Sequence, residues 1–278
     1  MSSTFVDHLT RDMPAGITLP QELITTFNWM EDQGWMQVDA GGVPTDPYMP
    51  IYPPDRFRDA GASMVVFGGT DLAYTGHWAT PDPAIDARIF EIAGVSGDGG
   101  RAAIWLDPQD SQHFVILGHD TLGLLTNDPV VFLQLMAMGY LELSSVEDFS
   151  MTPMQDALAY HGLDSLAAFN AISPDEPPML VPTELQAFLQ LEFGVTPPAT
   201  AADLGIATPA PYGDETSEDA FVQWNNAVTP PPTPEELAYI EELTKMAENM
   251  TLEELNLNDP DEPKGIIDRL MGYFRPNK

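Results

Sequence analysis

The chain has 278 residues, with 43 Asp and Glu against 10 Lys and Arg, a formal charge of −33 at neutral pH. That length allows one large domain or two modest ones, and the sign of the charge excludes sequence-independent binding to DNA, RNA or an anionic membrane, each of which needs a cationic face. A hydrophobic content of 44%, with 13 Phe, 8 Tyr and 5 Trp, excludes a wholly disordered acidic chain.

Zero cysteines exclude a disulfide framework, a thiolate nucleophile and Cys-ligated zinc or iron. The first residues, with Asp7, His8 and Asp12, lack the basic start and apolar run of a secretory signal. No stretch approaches the roughly 20 apolar residues that span a bilayer. The expectation is a soluble, cytoplasmic protein.

In chain order, Thr18 to Gly34 is the first clear helix. Thr18 and Gln21 stand at capping-box spacing, Pro20 suits the first turn, Leu23, Phe27 and Met30 share a face, and Gly34 can end it left-handed. From Gly41 to Arg58, five prolines and two glycines predict an irregular, ordered loop tied down by its tyrosines. Strands are expected at Ser63 to Phe67, Leu72 to Thr75, Arg88 to Ala93, Ala102 to Asp107 and His113 to Leu117. Within the fourth, Ala103, Trp105 and Asp107 alternate with Ala102, Ile104 and Leu106, so neither face is strongly polar and helices should cover at least one side. Asn127 to Gly139 is the expected cover: Asp128 can cap, Pro129 suits the first helical position, and Val130 to Met138 is apolar except for Gln134. Helix, antiparallel meander and helix define an α+β unit ending near Phe149.

The segments LPQELITTFNWM, MVVFGG, IFEIAGVSGDGGRAAIWLDP, HFVILGHD and NDPVVFLQLMAMG resemble, in order and spacing, the SUKH superfamily. There a Leu-Pro helix precedes a strand, a Gly-Asp-Gly turn, an aromatic-rich strand ending in Asp, and a final helix. The resemblance covers residues 1–149. It implies a SUKH-like antiparallel sheet flanked by helices and a non-enzymatic role. Bacterial members are typically immunity proteins that bind a cognate toxin, frequently a nuclease, delivered by contact-dependent or type VI secretion; fungal relatives regulate cell-wall synthesis and signalling. The chain departs from the compact family form through residues 150–278.

That extension reads as helical and packed on the first unit. Thr183 and Gln186 have capping-box spacing ahead of Leu185, Phe188, Leu189 and Phe193, with Gly194 as the stop; Ser217 can cap a helix bearing Phe221, Trp224 and Val228. Thr233, Pro234 and Glu236 open another with Leu237, Ile240 and Leu243, and Gly265 to Phe274 forms a last short one. From Ile172 to Pro234 fall 12 of the 27 prolines, which makes the connectors stiff.

No catalytic constellation emerges. His8, His77, His113, His119 and His161 never approach one another at i, i+2 or i+4, and no zinc-protease, serine-hydrolase, phosphate-loop or dinucleotide motif occurs. GVSGDGG leads into a strand rather than a helix and reads as a tight turn, and His119 beside Asp120 reads as turn chemistry. Asp98, Asp107 and Asp110, on turns at one edge of the sheet, offer oxygen ligands for calcium, but match no EF-hand spacing; turn-organising roles account for them. No metal and no cofactor is expected.

The charge is unevenly placed. Five Arg precede position 102, no Lys or Arg stands between Ala102 and Thr244, and 22 carboxylates lie in that stretch. Salt bridges within the segment cannot neutralise it, so many of these groups face water or a partner. Solubility or an acidic proteome explains this, and so does a selected surface for a basic partner. Three acidic sets beside aromatics are the candidate contact surface: Asp214, Glu215, Glu218 and Asp219 with Tyr212 and Trp224; Glu235, Glu236, Glu241 and Glu242 with Tyr239; and the sheet-edge set Asp98, Asp107, Asp110 and Asp120. For each, a solvated acidic face is the plainer explanation. The expected role is therefore that of an immunity protein which neutralises a basic toxin, such as a nuclease, by covering its cationic active-site region. A regulatory or signalling scaffold is the alternative, and an enzyme of unrecognised type the third.

Overall fold

The computed structural model describes residues 3–40, 43–68, 82–118 and 121–229. Eight strands form one antiparallel sheet in chain order: β1 (Gln37–Ala40), β2 (Val43–Pro50), β3 (Val66–Gly68), β4 (Ile89–Gly94), β5 (Arg101–Leu106), β6 (Gln112–Leu117), β7 (Thr121–Thr126) and β8 (Ala210–Pro211). The described helices are α1 (Thr4–Leu9), α2 (Gln21–Asp32), α3 (Pro83–Asp86), α4 (Pro129–Met136), α5 (Pro153–Tyr160), α6 (Leu166–Ile172), α7 (Thr183–Phe193) and α8 (Ala220–Val228). The class is α+β, as expected.

Alternation along β5 decides the layering. Ala102, Ile104 and Leu106 join Phe114 and Ile116 of β6 in the larger core, under Leu23, Phe27 and Met30 of α2, Phe132 and Met136 of α4, and Leu185 and Leu189 of α7. Phe114 stacks on Phe132 with centroids 4.2 Å apart, and Trp29 on Phe188 at 4.3 Å. The opposite residues, Ala103 and Trp105 with Val115, Leu117 and Leu122, meet Phe221 and Val222 of α8 in a second core. Among the described residues the sheet is therefore covered on both faces, one by several helices and the other by α8 with Ile85 of α3 beside it. Glu91 follows Ile89 onto the second-core face, opposite Ala103, and a bulge between Glu91 and Ala93 then sets Ala93 beside Ile92 on the first core.

Chain on both sides of Phe149 shares the larger core, to which Ala201 and Ile206 also belong. The Phe149 amide donates to Thr208 Oγ1 at 3.0 Å and its carbonyl accepts from the Ala202 amide at 2.9 Å. Tyr140 repeats the stitch, donating its hydroxyl to the Met151 carbonyl (2.7 Å) and accepting from the Ala201 amide (3.2 Å). Residues 1–229 make one compact unit.

Several local expectations change. Helix α2 begins at Gln21 with Pro20 in the capping position and no side-chain cap. Thr18 is instead bound to Gln112: its amide donates to Oε1 at 2.6 Å and its carbonyl accepts from Nε2 at 3.0 Å, so a tertiary tie to β6 replaces the capping box. In α7, likewise, the capping position is Pro182 and Thr183 is already inside the helix, while Gln186 donates to the Ala137 carbonyl beyond the end of α4 (2.8 Å). The cap of α8 is Asp219, and Ser217 accepts from the Asp219 amide. Part of the proline-rich loop is strand β2: Pro44 and Pro50 stand opposite Asp39 and Val66, register with β1 slips between Gln37 and Asp39, and β3 reaches only Tyr48 to Pro50. Beyond it, buried Tyr52 accepts from the Ser63 amide (3.1 Å) and donates to the Leu180 carbonyl (3.0 Å). The expected helix at Asn127 to Gly139 forms with Asp128 as cap and Pro129 in its first turn. The strand expected at Leu72 to Thr75 and the helices beyond Pro230 lie outside the described residues.

The far edge of the sheet is closed by short-range devices. β8 pairs only with Thr121 and Leu122, Pro209 packs against Gly123, and the Leu124 amide donates to Asp219 Oδ2 at 2.8 Å. Asp219 thus caps α8 and terminates the β7 edge together. Asp219→Ala is expected to cost about 2 kcal/mol, a lost cap plus an unpaired amide, and Phe221→Ala about 3–5 kcal/mol through the second core. Both are read by chemical denaturation, with Asp219→Asn recovering part of the first loss.

Candidate functional site

The turns between strands fix the first acidic set. In an antiparallel meander successive turns alternate ends, so Asp98, between β4 and β5, lies at the opposite end of β5 from Asp107 and Asp110. Six residues of strand put roughly 20 Å between them at about 3.3 Å per residue. The structure therefore does not bring these three to one edge, and they form no common set of cation ligands; Asp120 lies outside the described residues. Each is bound locally. Asp98 accepts from the Ser96 hydroxyl and from the Gly100 amide. Gly100 has no room for a side chain: an added Cβ would stand 2.1 Å from Ser144 Oγ. Asp107 Oδ1 accepts from the amides of Gln109 and Ser111, both at 2.8 Å, and Oδ2 lies 3.1 Å from His113 Nε2. Slight desolvation raises its pKa, but the Ser111 amide, His113 and the Gln109 amide outweigh it and hold the carboxyl below its ordinary value. Asp110 adopts a left-handed φ of 62° and lies 3.3 Å from Arg88 Nη1.

Around α8 the second set is brought together, with unequal roles. Asp219 has both oxygens occupied, by the Phe221 and Val222 amides on one and Leu124 on the other. Asp214 accepts from the Thr216 hydroxyl at 2.6 Å and amide at 2.8 Å, which holds its pKa below normal. Trp224 is half-buried, 5.5 Å from Trp105 and 5.8 Å from Phe221. Burial raises the Tyr212 hydroxyl, with a hydrogen bond to the Asn225 side chain opposing it. Glu215 and Glu218 are exposed. Glu235, Glu236, Tyr239, Glu241 and Glu242 lie outside the described residues.

Two features were not read from the sequence. Glu91 is the one buried carboxylate among the described residues. It sits on the second-core face, with Arg101 Nε 3.5 Å from its Oε2. Desolvation pushes its pKa up to about 7, while the Arg101 guanidinium pulls the other way. Nothing in IFEIAG marks Glu91 as buried except its place in an apolar strand. The other feature is the α5–α6 hairpin. Phe169 is buried, His161 lies 5.1 Å from its ring and Tyr160 5.5 Å from His161, while Tyr160, Leu166 and Ile172 are 57%, 45% and 67% exposed. The Thr152-Pro153-Gln155 capping box and the three-residue spacing of Leu166, Phe169 and Ile172 announce both helices.

The positive charge of the described residues is engaged internally. Arg11 lies 2.7 Å from His8 Nδ1; Arg56 is near Asp59 and Glu184; Arg58 covers the Phe57 ring at 5.0 Å; Arg88 donates to the Asp107 carbonyl at 2.7 Å; Arg101 faces Glu91. From Ala102 to Thr229 every described carboxylate is exposed or half-buried and no Lys or Arg is present. The surface is therefore anionic with little local compensation. Among the described residues no helix is long and apolar enough to cross a membrane. No family model matches the chain, and no curated protein or solved structure matches it.

Glu91 has a pH consequence. Its folded pKa lies above its ordinary 4.5, so its contribution to stability is complete below that value and is lost as pH rises through about 7. Between about pH 5 and pH 8 the protein should lose up to about 3 kcal/mol through this group, at 1.36 kcal/mol per unit. Glu91→Gln removes that part of the slope, measured as unfolding free energy against pH; an unchanged slope in the variant overturns the assignment.

Proposed function

We propose that this chain is a non-catalytic immunity protein that binds and neutralises a basic protein toxin, a nuclease delivered by type VI or contact-dependent secretion, in the cytoplasm where the toxin acts. The observation that carries this reading is the sparsely compensated anionic surface over residues 102–229, whose carboxylates have no Lys or Arg within the segment. A nuclease needs a cationic groove for its phosphodiester substrate. An acidic protein that covers this groove gains long-range attraction and rapid encounter, while apolar anchors within the contact supply affinity. The SUKH resemblance of residues 1–149 supports the toxin as the class of partner.

The test is survival. A toxin captured on this chain and identified by mass spectrometry is expressed with and without it: growth restored only in its presence is the expected result, and death in both conditions overturns the reading. Association measured by stopped flow should slow at least tenfold between about 50 and 500 mM salt as the screening length contracts. A rate independent of salt removes charge from the mechanism.

A further inference from the structure

We propose that the exposed face of the α5–α6 hairpin is the docking surface for a cationic, amphipathic segment of the partner. This rests on the reading of the chain as a binder of a basic protein and specifies which surface does the binding.

Leu166, Phe169 and Ile172 lie at three-residue intervals and so share one side of α6. Phe169 is buried against His161, but Leu166 and Ile172 on either side of it are open to solvent, as is Tyr160 at the end of α5. Leu191, more exposed still at 86%, stands as a single residue on α7, which is ordinary for a protein surface. On α5 and α6, by contrast, Tyr160, His161 and Phe169 form one ring cluster, and Leu166 and Ile172 stand one turn to either side of Phe169. Exposed Asp164 lies in the turn between the two helices, and exposed Asp175 and Glu176 follow α6. These three side chains accept no hydrogen bond and form no ion pair among the described residues, whereas Asp107, Asp214 and Asp219 are held by local donors.

The charge decides what can cover this face. A second copy of the chain brings another net charge of −33 and the same carboxylates against these. Nucleic acid and anionic membranes are repelled for the same reason. A protein segment with Leu-type side chains on one face and Lys or Arg beside them satisfies both the apolar centre and the acidic rim, the helix-in-groove mode of recognition.

The test uses the full chain and a fluorescein-labelled helical peptide of alternating Leu and Lys faces, titrated by fluorescence anisotropy. Binding should weaken at least tenfold in Leu166→Ser/Ile172→Ser and in Asp164→Asn/Asp175→Asn/Glu176→Gln. It should change less than twofold in Glu215→Gln/Glu218→Gln. The apolar positions are exposed, so thermal unfolding should match the unmodified protein. A peptide that fails to bind, that binds both hairpin variants as before, or that is weakened as much by the Glu215/Glu218 pair overturns the docking surface. These outcomes decide the docking surface and leave the cell-survival test to stand by itself: failure of the unmodified chain to protect cells, with hairpin-dependent peptide binding intact, overturns the toxin reading alone.

Discussion

The architecture depends on strands β5 and β6 having no polar face. Ile104 and Phe114 require cover on one side, and Trp105 and Val115 require it on the other. An antiparallel sheet can leave one face to water, but this one cannot without exposing Trp105. The second cover is supplied from far along the chain by α8, a helix of nine residues that is too short to be stable alone. It is held by burial of Phe221 and Val222 and by one aspartate that caps it and accepts an amide from β7. Cover of the face and closure of the sheet edge are therefore a single event.

The scarcity of cations shapes everything outside the cores. Each arginine of the described residues has an internal contact: Arg88 braces the β5–β6 turn, Arg101 faces Glu91, Arg56 links the segment after β2 to α7, Arg11 meets His8 and Arg58 covers Phe57. Apart from Arg56 beside Glu184, none reaches the helical region from α5 to α8, and the surface there repels its own kind. That same field would accelerate encounter with a basic partner. Many of the carboxylates cap helices or organise turns, so the local density of negative charge is a poor guide to where a partner sits. The α5–α6 hairpin differs because its acidic groups lie beside apolar side chains and are not engaged in holding the fold.

Much of the framework was legible in the residues. Asp128-Pro129 before an apolar run announced α4, Gly34 and Gly194 ended α2 and α7, and the alternation of β5 showed that neither face was polar. These signals are local: a cap, a left-handed glycine and a two-residue period act within a few residues of chain. β2 was concealed by prolines that read as loop, and its strand character comes from neighbours that accommodate gaps in the ladder. β8 has two residues and no strand signal of its own.

The sequence by itself determined the α+β class, the sign of the charge and its concentration in a segment without cations, because each depends on composition and short-range period. Tertiary structure decided which carboxylates share a surface. It placed Asp98 and Asp107 at opposite ends of one strand because meander turns alternate, buried Glu91 because the face it shares with Ile89 and Ala103 is covered by a second core, and took Asp219 from the surface to seal a sheet edge ninety-five residues away. Those outcomes depend on pairing between distant segments, which no local pattern encodes.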